Sequence, residues 1–258
     1  MRFSLTAVDL NRANIERGRA NARAAGLGQQ MQFHAGDCLA LEGWPPHDVV
    51  IVNQFLHHVD QLERFCVLLD ELTDAEGVIL SSDVIGRNGH LLWPGVAEEV
   101  QAFWQQLPAD KTLDRGDGQL KPRYPEVDHA AYSNEGVRAQ DIVAALLTRF
   151  EFDLFLSFGA VIIPFVERRF GFNFNIDAQA DRDFIDAVAT RDAALLANGT
   201  FPAANMFAVL CKPGRAQRRW QQPINAERHA ELTRAEIAKL GCVMGFPAQH
   251  ATAIMPPS

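Results

Sequence analysis

Two acidic residues stand at the ends of short apolar runs early in the chain, where they could bind a nucleoside. Phe3–Val8 reads as a strand that ends on Asp9, and Met31–Gly36 reads as a second strand that ends on Asp37. A carboxylate at the carboxyl tip of such a strand can accept hydrogen bonds from both hydroxyls of a ribose. A local role is the alternative for each residue, since Asp9 could cap the following helix and Asp37 could form a turn.

Strand-like and helix-like segments alternate along much of the chain. This rhythm predicts an α/β fold of the Rossmann-like kind, with a mainly parallel sheet and helices on both faces. The continuous β-branched run Asp48–Asn53 is typical of a central strand that is buried on both faces. The other predicted elements are helix Asn14–Ala25, helix Leu62–Leu72, strand Gly77–Asp83, helix Val137–Thr148, strand Phe152–Phe158, helix Asp181–Ala197 and strand Met206–Cys211.

The alternation stops in two places. Residues 85–135 are rich in glycine and proline and follow the carboxyl end of a strand, so we predict that they form a lid over the site. Residues 214–258 are predicted to be a tail without a strand. Its one short helix, Arg234–Leu240, would be capped by Thr233 and Glu236.

Composition limits the class of protein. The chain has 258 residues, 48% of them hydrophobic, and a net charge of −8, which argues against nucleic acid as a partner because that binding needs a basic face. No apolar run is long enough to span a bilayer. The four cysteines are scattered and form no CxxC pair, so we expect reduced thiols, no metal site and a cytoplasmic location.

The order and spacing of four segments resemble class I S-adenosylmethionine-dependent methyltransferases. These segments are Ala7–Asn11, Phe33–Asp37, Asp48–Val59 and Gly77–Asp83. The resemblance covers residues 1–213, with the lid inside it, and implies that the four segments are strands two to five of a seven-stranded sheet whose final strand is antiparallel. It also implies S-adenosylmethionine as the cofactor and a small-molecule or glycan-like methyl acceptor. Gly86–His90 and Gly136–Ile142 resemble a bacterial subgroup of these enzymes.

The resemblance implies which residues bind the cofactor. They are Asp9, Leu10, Asp37, Cys38, Asn53, Gln54 and Phe55. Asp9 matches the acid that binds the ribose, and Asp37 matches the acid that accepts from the adenine amino group. Cys38 would present its backbone N–H to the adenine ring, while residues 53–55 would lie beneath the methionyl part.

Histidines are the candidate catalytic residues of this resemblance. His57 and His58 follow the fourth strand of the family's sheet, and His90 lies in the lid, as does His129. A histidine near the transferred methyl group could remove a proton from an attacking hydroxyl or amine. Packing against the cofactor wall is the alternative for the pair, and an ordinary surface or core role is the alternative in the lid.

Three further side chains are candidates for the acceptor site. Trp93 and Tyr124 are bulky amphipathic residues of the lid that suit closure over a ring, and Arg138 could bind an anion. Packing of the aromatic residues within the insertion is the alternative.

The sequence departs from the family before Asp9. The family's glycine-rich turn should lie about 20 residues upstream of this acid, whereas eight residues precede it. We therefore expect a truncated form that lacks the first strand and has little activity. Two other functions stay open: a nicotinamide-dependent oxidoreductase, which also ends its second strand on an acid, and a non-catalytic subunit whose open sheet edges pair with another chain. The oligomeric state has no sequence marker.

Overall fold

The computed structural model describes residues 3–40, 43–217 and 220–244, without the side chains of residues 242–244. The strands are β1 Leu5–Asp9, β2 Met31–Ala35, β3 His47–Asn53, β4 Thr73–Val84, β5 Leu113–Asp114, β6 Gln119–Leu120, β7 Glu151–Phe158, β8 Asn205–Cys211 and β9 Trp220–Gln222. The α-helices are α1 Arg12–Ala24, α2 Leu62–Leu72, α3 Pro94–Trp104, α4 Ile142–Leu147, α5 Ile163–Val166, α6 Gln179–Ala197 and α7 Ala226–Met244. None of these helices is both long and apolar enough to cross a membrane.

The main sheet has five strands in the order β3-β4-β8-β7-β9. Strands β3 and β4 are parallel, while β8 runs antiparallel to both of its neighbours, β4 and β7. This confirms the mixed α/β fold and the antiparallel orientation of Met206–Cys211, the strand that was predicted to be the last. Strands β1 and β2 form a separate parallel ladder, and within the described residues no backbone pairing joins it to the main sheet.

Strand β3 is the edge of the main sheet, so the prediction that it is buried on both faces is wrong. It pairs with β4 on one side, and its side chains Val49 and Ile51 are 49% and 62% exposed. The β-branched run encodes an extended conformation, but burial depends on the elements beside the strand.

Two apolar clusters hold the molecule together. In the first, α2, α4 and α7 pack against strands of the main sheet, with Leu69, Ile142 and Phe155 among its least exposed members. The second lies between α3, α5 and α6, where Trp104 and Phe165 are each 1% exposed. The insertion at residues 85–135 therefore contains a helix, α3, that its proline content concealed; Pro94 occupies the first turn, where proline is tolerated.

The C-terminal part differs from the predicted tail. It contains strand β9, which pairs with β7, and the 19-residue helix α7. Asn225 caps this helix by accepting from the Arg228 N–H, so Thr233 and Glu236 lie inside the helix rather than at its start. The apolar contacts of Ala226 and Ala230 with the first cluster explain why the helix is longer than its local signal. Residues 218–219 and 245–258 of the predicted tail lie outside the described residues.

Candidate active site

A buried carboxylate organises the carboxyl ends of β3 and β4. Asp83 is 0% exposed, and its Oδ2 accepts from the backbone N–H groups of Phe55 and Leu56 at 2.9 and 2.7 Å. Its Oδ1 lies 2.5 Å from Nδ1 of His57, which is itself 3% exposed. Asp83 thus fixes the loop after β3 and orients the imidazole, leaving Nε2 of His57 directed away from the carboxylate.

Four histidines converge at this point. The ring centroid of His57 lies 4.1 Å from that of His58 and 5.4 Å from that of His90, and the His90 ring is 5.6 Å from that of His129. Glu135 completes the group, with Oε2 at 3.4 Å from Nε2 of His57. We call these five residues the histidine cluster. It brings together all three predicted catalytic residues.

Two segments far apart in sequence hold the part of the cluster that contains His90. Gly89 donates to the carbonyl of Gly136 at 2.9 Å, and the Asn88 and Gln140 side chains each accept from the other's backbone N–H at 3.2 Å. A Cβ at Gly136 would lie 2.5 Å from Cδ2 of His90, so this position requires glycine. His90 has φ of +58°, a conformation that costs a non-glycine residue about 1–3 kcal/mol and recurs at functional sites.

Burial controls the charge of His90. Loss of solvent lowers the pKa of its imidazole, and the positive charge that His57 can carry lowers it further. Its Nε2 is buried and has no hydrogen-bond partner among the described residues. The neutral ring therefore offers an unused donor or acceptor nitrogen to the centre of the cluster.

The predicted nucleoside acids lie on the separate ladder. At the tip of β1, Asp9 accepts from the N–H of Asn11 at 2.7 Å and from the Asn14 side chain at 2.9 Å. Asp37 follows β2 and accepts from the N–H of Leu39 at 2.9 Å. These contacts use part of each carboxylate, which has about four acceptor positions. Two partly exposed carboxylates at neighbouring strand tips suit the ribose and adenine of S-adenosylmethionine.

The remaining predicted cofactor residues flank these acids. Leu10 is 74% exposed, while burial raises the pKa of the Cys38 thiol to about 11, which keeps it neutral. Asn53 ends β3, and Gln54 adopts φ of +49° while donating its N–H to the carbonyl of Ser82 at 2.8 Å. This bend carries the chain from the sheet to the loop that Asp83 holds. The roles of these residues in cofactor binding stay predictions.

The predicted acceptor residues have partners of their own. Trp93 is 3% exposed and packs in the second apolar cluster, where Tyr124 also contacts the ring of Trp104 at 5.4 Å. Arg138 forms two 2.7 Å hydrogen bonds to the carboxylate of Glu63 and one of 2.9 Å to Asp141. Packing and ion pairing account for these side chains without a ligand.

Asp83 and Glu135 are the functional candidates that sequence reasoning missed. Asp83 closes a strand with an acid at the edge where ligands of α/β sheets bind, which is a usable signal. Glu135 is far from His57 in sequence, and tertiary contacts such as that of His58 with the Asn134 carbonyl bring the two together.

Comparison with known proteins agrees with the fold. The family model described as "Methyltransferase domain" matches residues 2–80, which is about a third of the chain. No curated protein matches. Similar solved structures include geranyl diphosphate methyltransferase in complex with SAM, at 10% identity and a TM-score of 0.45, covering 81% of this chain and 69% of that one.

Two further structures have comparable likeness. The [4+2]-cyclase SpnF is 14% identical with a TM-score of 0.41 and covers 82% of this chain and 67% of its own. PKMT2 from Rickettsia typhi in complex with AdoHcy is 15% identical with a TM-score of 0.43 and covers 81% and 44%. Likenesses this distant carry no argument about residues or substrates.

The matched segment contains Asp9, Asp37 and the pair His57 and His58. This segment resembles a methyltransferase domain, and the resemblance implies S-adenosylmethionine as the cofactor. Neither the nicotinamide-dependent oxidoreductase nor the non-catalytic subunit gains support from the match.

Proposed function

We propose that the chain methylates a small-molecule or glycan-like acceptor whose nucleophilic atom meets the histidine cluster. The observation that carries the proposal is the convergence of His57, His58, His90 and Glu135 at the carboxyl ends of β3 and β4. Ligands of open α/β sheets bind at this edge. S-adenosylmethionine supplies an activated methyl group, so the protein's part is to orient the acceptor and to manage its proton.

The cluster suits an acceptor that must become anionic to react. Asp83 fixes the ring of His57 at 2.5 Å, so Nε2 needs no reorganisation when the acceptor arrives. His58 is held in turn by the carbonyl of Asn134, 3.2 Å from its Nδ1. A hydroxyl or thiol placed among these rings would lose its proton more readily than in water.

The test follows the methyl group into small molecules. The chain is incubated with S-adenosyl-[methyl-³H]methionine and a protein-free extract of bacterial cells, and labelled products are separated by chromatography. We expect labelled small molecules to form slowly, in line with the low activity expected from the sequence, and their rate of formation should fall at least about 100-fold in His57→Ala.

His47→Ala is the matched control, because His47 begins β3 at the opposite end of the strand and should leave the rate unchanged. Equal labelling by His57→Ala and the parent chain would contradict the role of the cluster. Label that appears in no small molecule would contradict the class of acceptor.

A further inference from the structure

Three side chains of the histidine cluster direct potential metal-binding atoms at one point. They are Nε2 of His57, Nε2 of His90 and a carboxylate oxygen of Glu135, all within 4.8 Å of one another. Glu135 Oε2 lies 3.4 Å from the first nitrogen and 3.9 Å from the second. A proton-transfer site needs one such group, whereas three that converge are typical of a cation site.

The surroundings favour a cation over a simple hydrogen-bonded group. Nε2 of His90 is buried and lacks a hydrogen-bond partner among the described residues, which is unfavourable unless a ligand occupies the site. The 3.9 Å separation from Glu135 is too long for a hydrogen bond to relieve it. His90 also has a positive φ of +58°, and its ring packs so closely against residue 136 that only glycine fits there.

Asp83 supplies the second feature of a metal site. Metal-binding histidines commonly donate their other ring nitrogen to a carboxylate, which orients the ring and makes the free nitrogen a better ligand. Nδ1 of His57 makes this contact with Asp83 at 2.5 Å, inside a region where both side chains are almost fully buried.

From this geometry we propose that His57, His90 and Glu135 bind a divalent zinc ion. Two imidazoles and one carboxylate are a known zinc ligand set that leaves a fourth position open. Tetrahedral zinc needs ligand atoms about 3.3 Å apart. Glu135 lies 3.4 and 3.9 Å from the two ring nitrogens, which lie within 4.8 Å of each other, so the three groups must move closer together to bind the ion. Glu135, whose side chain is 42% exposed, has the freedom to approach the rings.

The open position gives the ion a chemical role that rests on the proposed function. An acceptor hydroxyl or thiol bound there would lose its proton to solvent more easily, because a bound cation stabilises the resulting anion. Iron(II) uses the same ligand types, but methyl transfer involves no change of oxidation state. Zinc therefore serves the reaction better than iron.

The experiment measures zinc binding by the full chain alone, without cofactor or acceptor. Protein purified without chelators is analysed for bound metal, then stripped and titrated with Zn²⁺ in competition with a chromophoric chelator. We expect one zinc ion per chain. Glu135→Gln and His90→Asn should each weaken binding at least about tenfold; asparagine is chosen because it tolerates positive φ.

Two controls and two other ions complete the design. Glu98→Gln and His47→Ala replace the same residue types outside the cluster and should bind zinc as the parent chain does. Mg²⁺ should not compete, and anaerobic Fe²⁺ should bind more weakly than zinc. Circular dichroism confirms that each variant is folded.

Zinc binding that neither cluster variant weakens, or tighter binding of Fe²⁺ than of Zn²⁺, would overturn the proposal. The outcome is separable from that of the proposed function. A chain that binds zinc but labels no small molecule would contradict only the function, whereas full methyl transfer by the stripped protein would contradict only the role of zinc in the reaction.

Discussion

Two acids that end parallel strands occupy opposite environments in this molecule. Asp83, at the end of β4 in the five-stranded sheet, is fully buried and binds three backbone N–H groups, those of Phe55, Leu56 and Val84, and an imidazole. Asp9, at the end of β1 in the two-stranded ladder, is partly exposed and binds only nearby residues of the following turn and helix. Asp83 therefore stabilises the fold, while Asp9 keeps acceptor positions that a ligand can use.

The largest expected effect is the loss of stability on replacing Asp83, which tests whether this acid stabilises the fold. Asp83→Ala leaves the N–H groups of Phe55 and Leu56 and the ring of His57 without their acceptor. We expect a loss of about 3–5 kcal/mol in the free energy of unfolding, measured by urea denaturation.

Asp9→Ala is the matched variant and should cost about 1 kcal/mol or less, because its partners can bind water instead. If the two substitutions destabilise the chain equally, the contrast between the two strand ends is wrong.

Acid should lower the free energy of unfolding through a buried histidine that packs against the main sheet, not through the ladder of β1 and β2. His229 of α7 is 1% exposed, and burial lowers the pKa of its imidazole to about 4. Nε2 lies 3.0 Å from the carbonyl of Ala203, while Nδ1 is buried without a partner in the part of the chain that the structure describes, so a second proton would find no acceptor there. The stability due to neutral His229 is complete above pH 6.5 and is lost as the pH falls towards 4.

The expected loss at pH 4 is about 3 kcal/mol. His229→Gln should make the free energy of unfolding flatter between pH 6.5 and 4, whereas His47→Gln should leave the slope as it is. An unchanged slope in His229→Gln would show that acid sensitivity arises elsewhere.

The same contrast explains what the sequence could reveal. The β-branched residues of β3 and the apolar residues on one face of α2 specify local conformation. Both elements were predicted within one residue at either end. The local sequence does not determine which elements pack beside a strand, so it could not predict that Ile51 is exposed. Nor could it show that α7 packs against the first apolar cluster.

The candidate site divides in the same way. Asp9 ends β1 and His57 lies four residues beyond the end of β3, so both were candidates from their places next to predicted strands. Glu135 joins the cluster through long-range contacts, those of residue 136 with 89 and of residue 134 with 58, for which spacing gives no signal. Trp93 was assigned to the acceptor site from its type alone, and the second apolar cluster accounts for it better.

The central claim is that Asp9 binds the nucleoside of S-adenosylmethionine. Isothermal titration with S-adenosylhomocysteine tests it most directly, comparing the parent chain with Asp9→Ala and with Asp48→Ala, an exposed acid near the opposite end of β3. Asp9→Ala should weaken binding by about 1.5–3 kcal/mol, the scale of charge-assisted hydrogen bonds. Asp48→Ala should not change the affinity, and NADH should not bind. Equal affinity in Asp9→Ala and the parent chain, or binding of NADH in place of S-adenosylhomocysteine, would contradict the account.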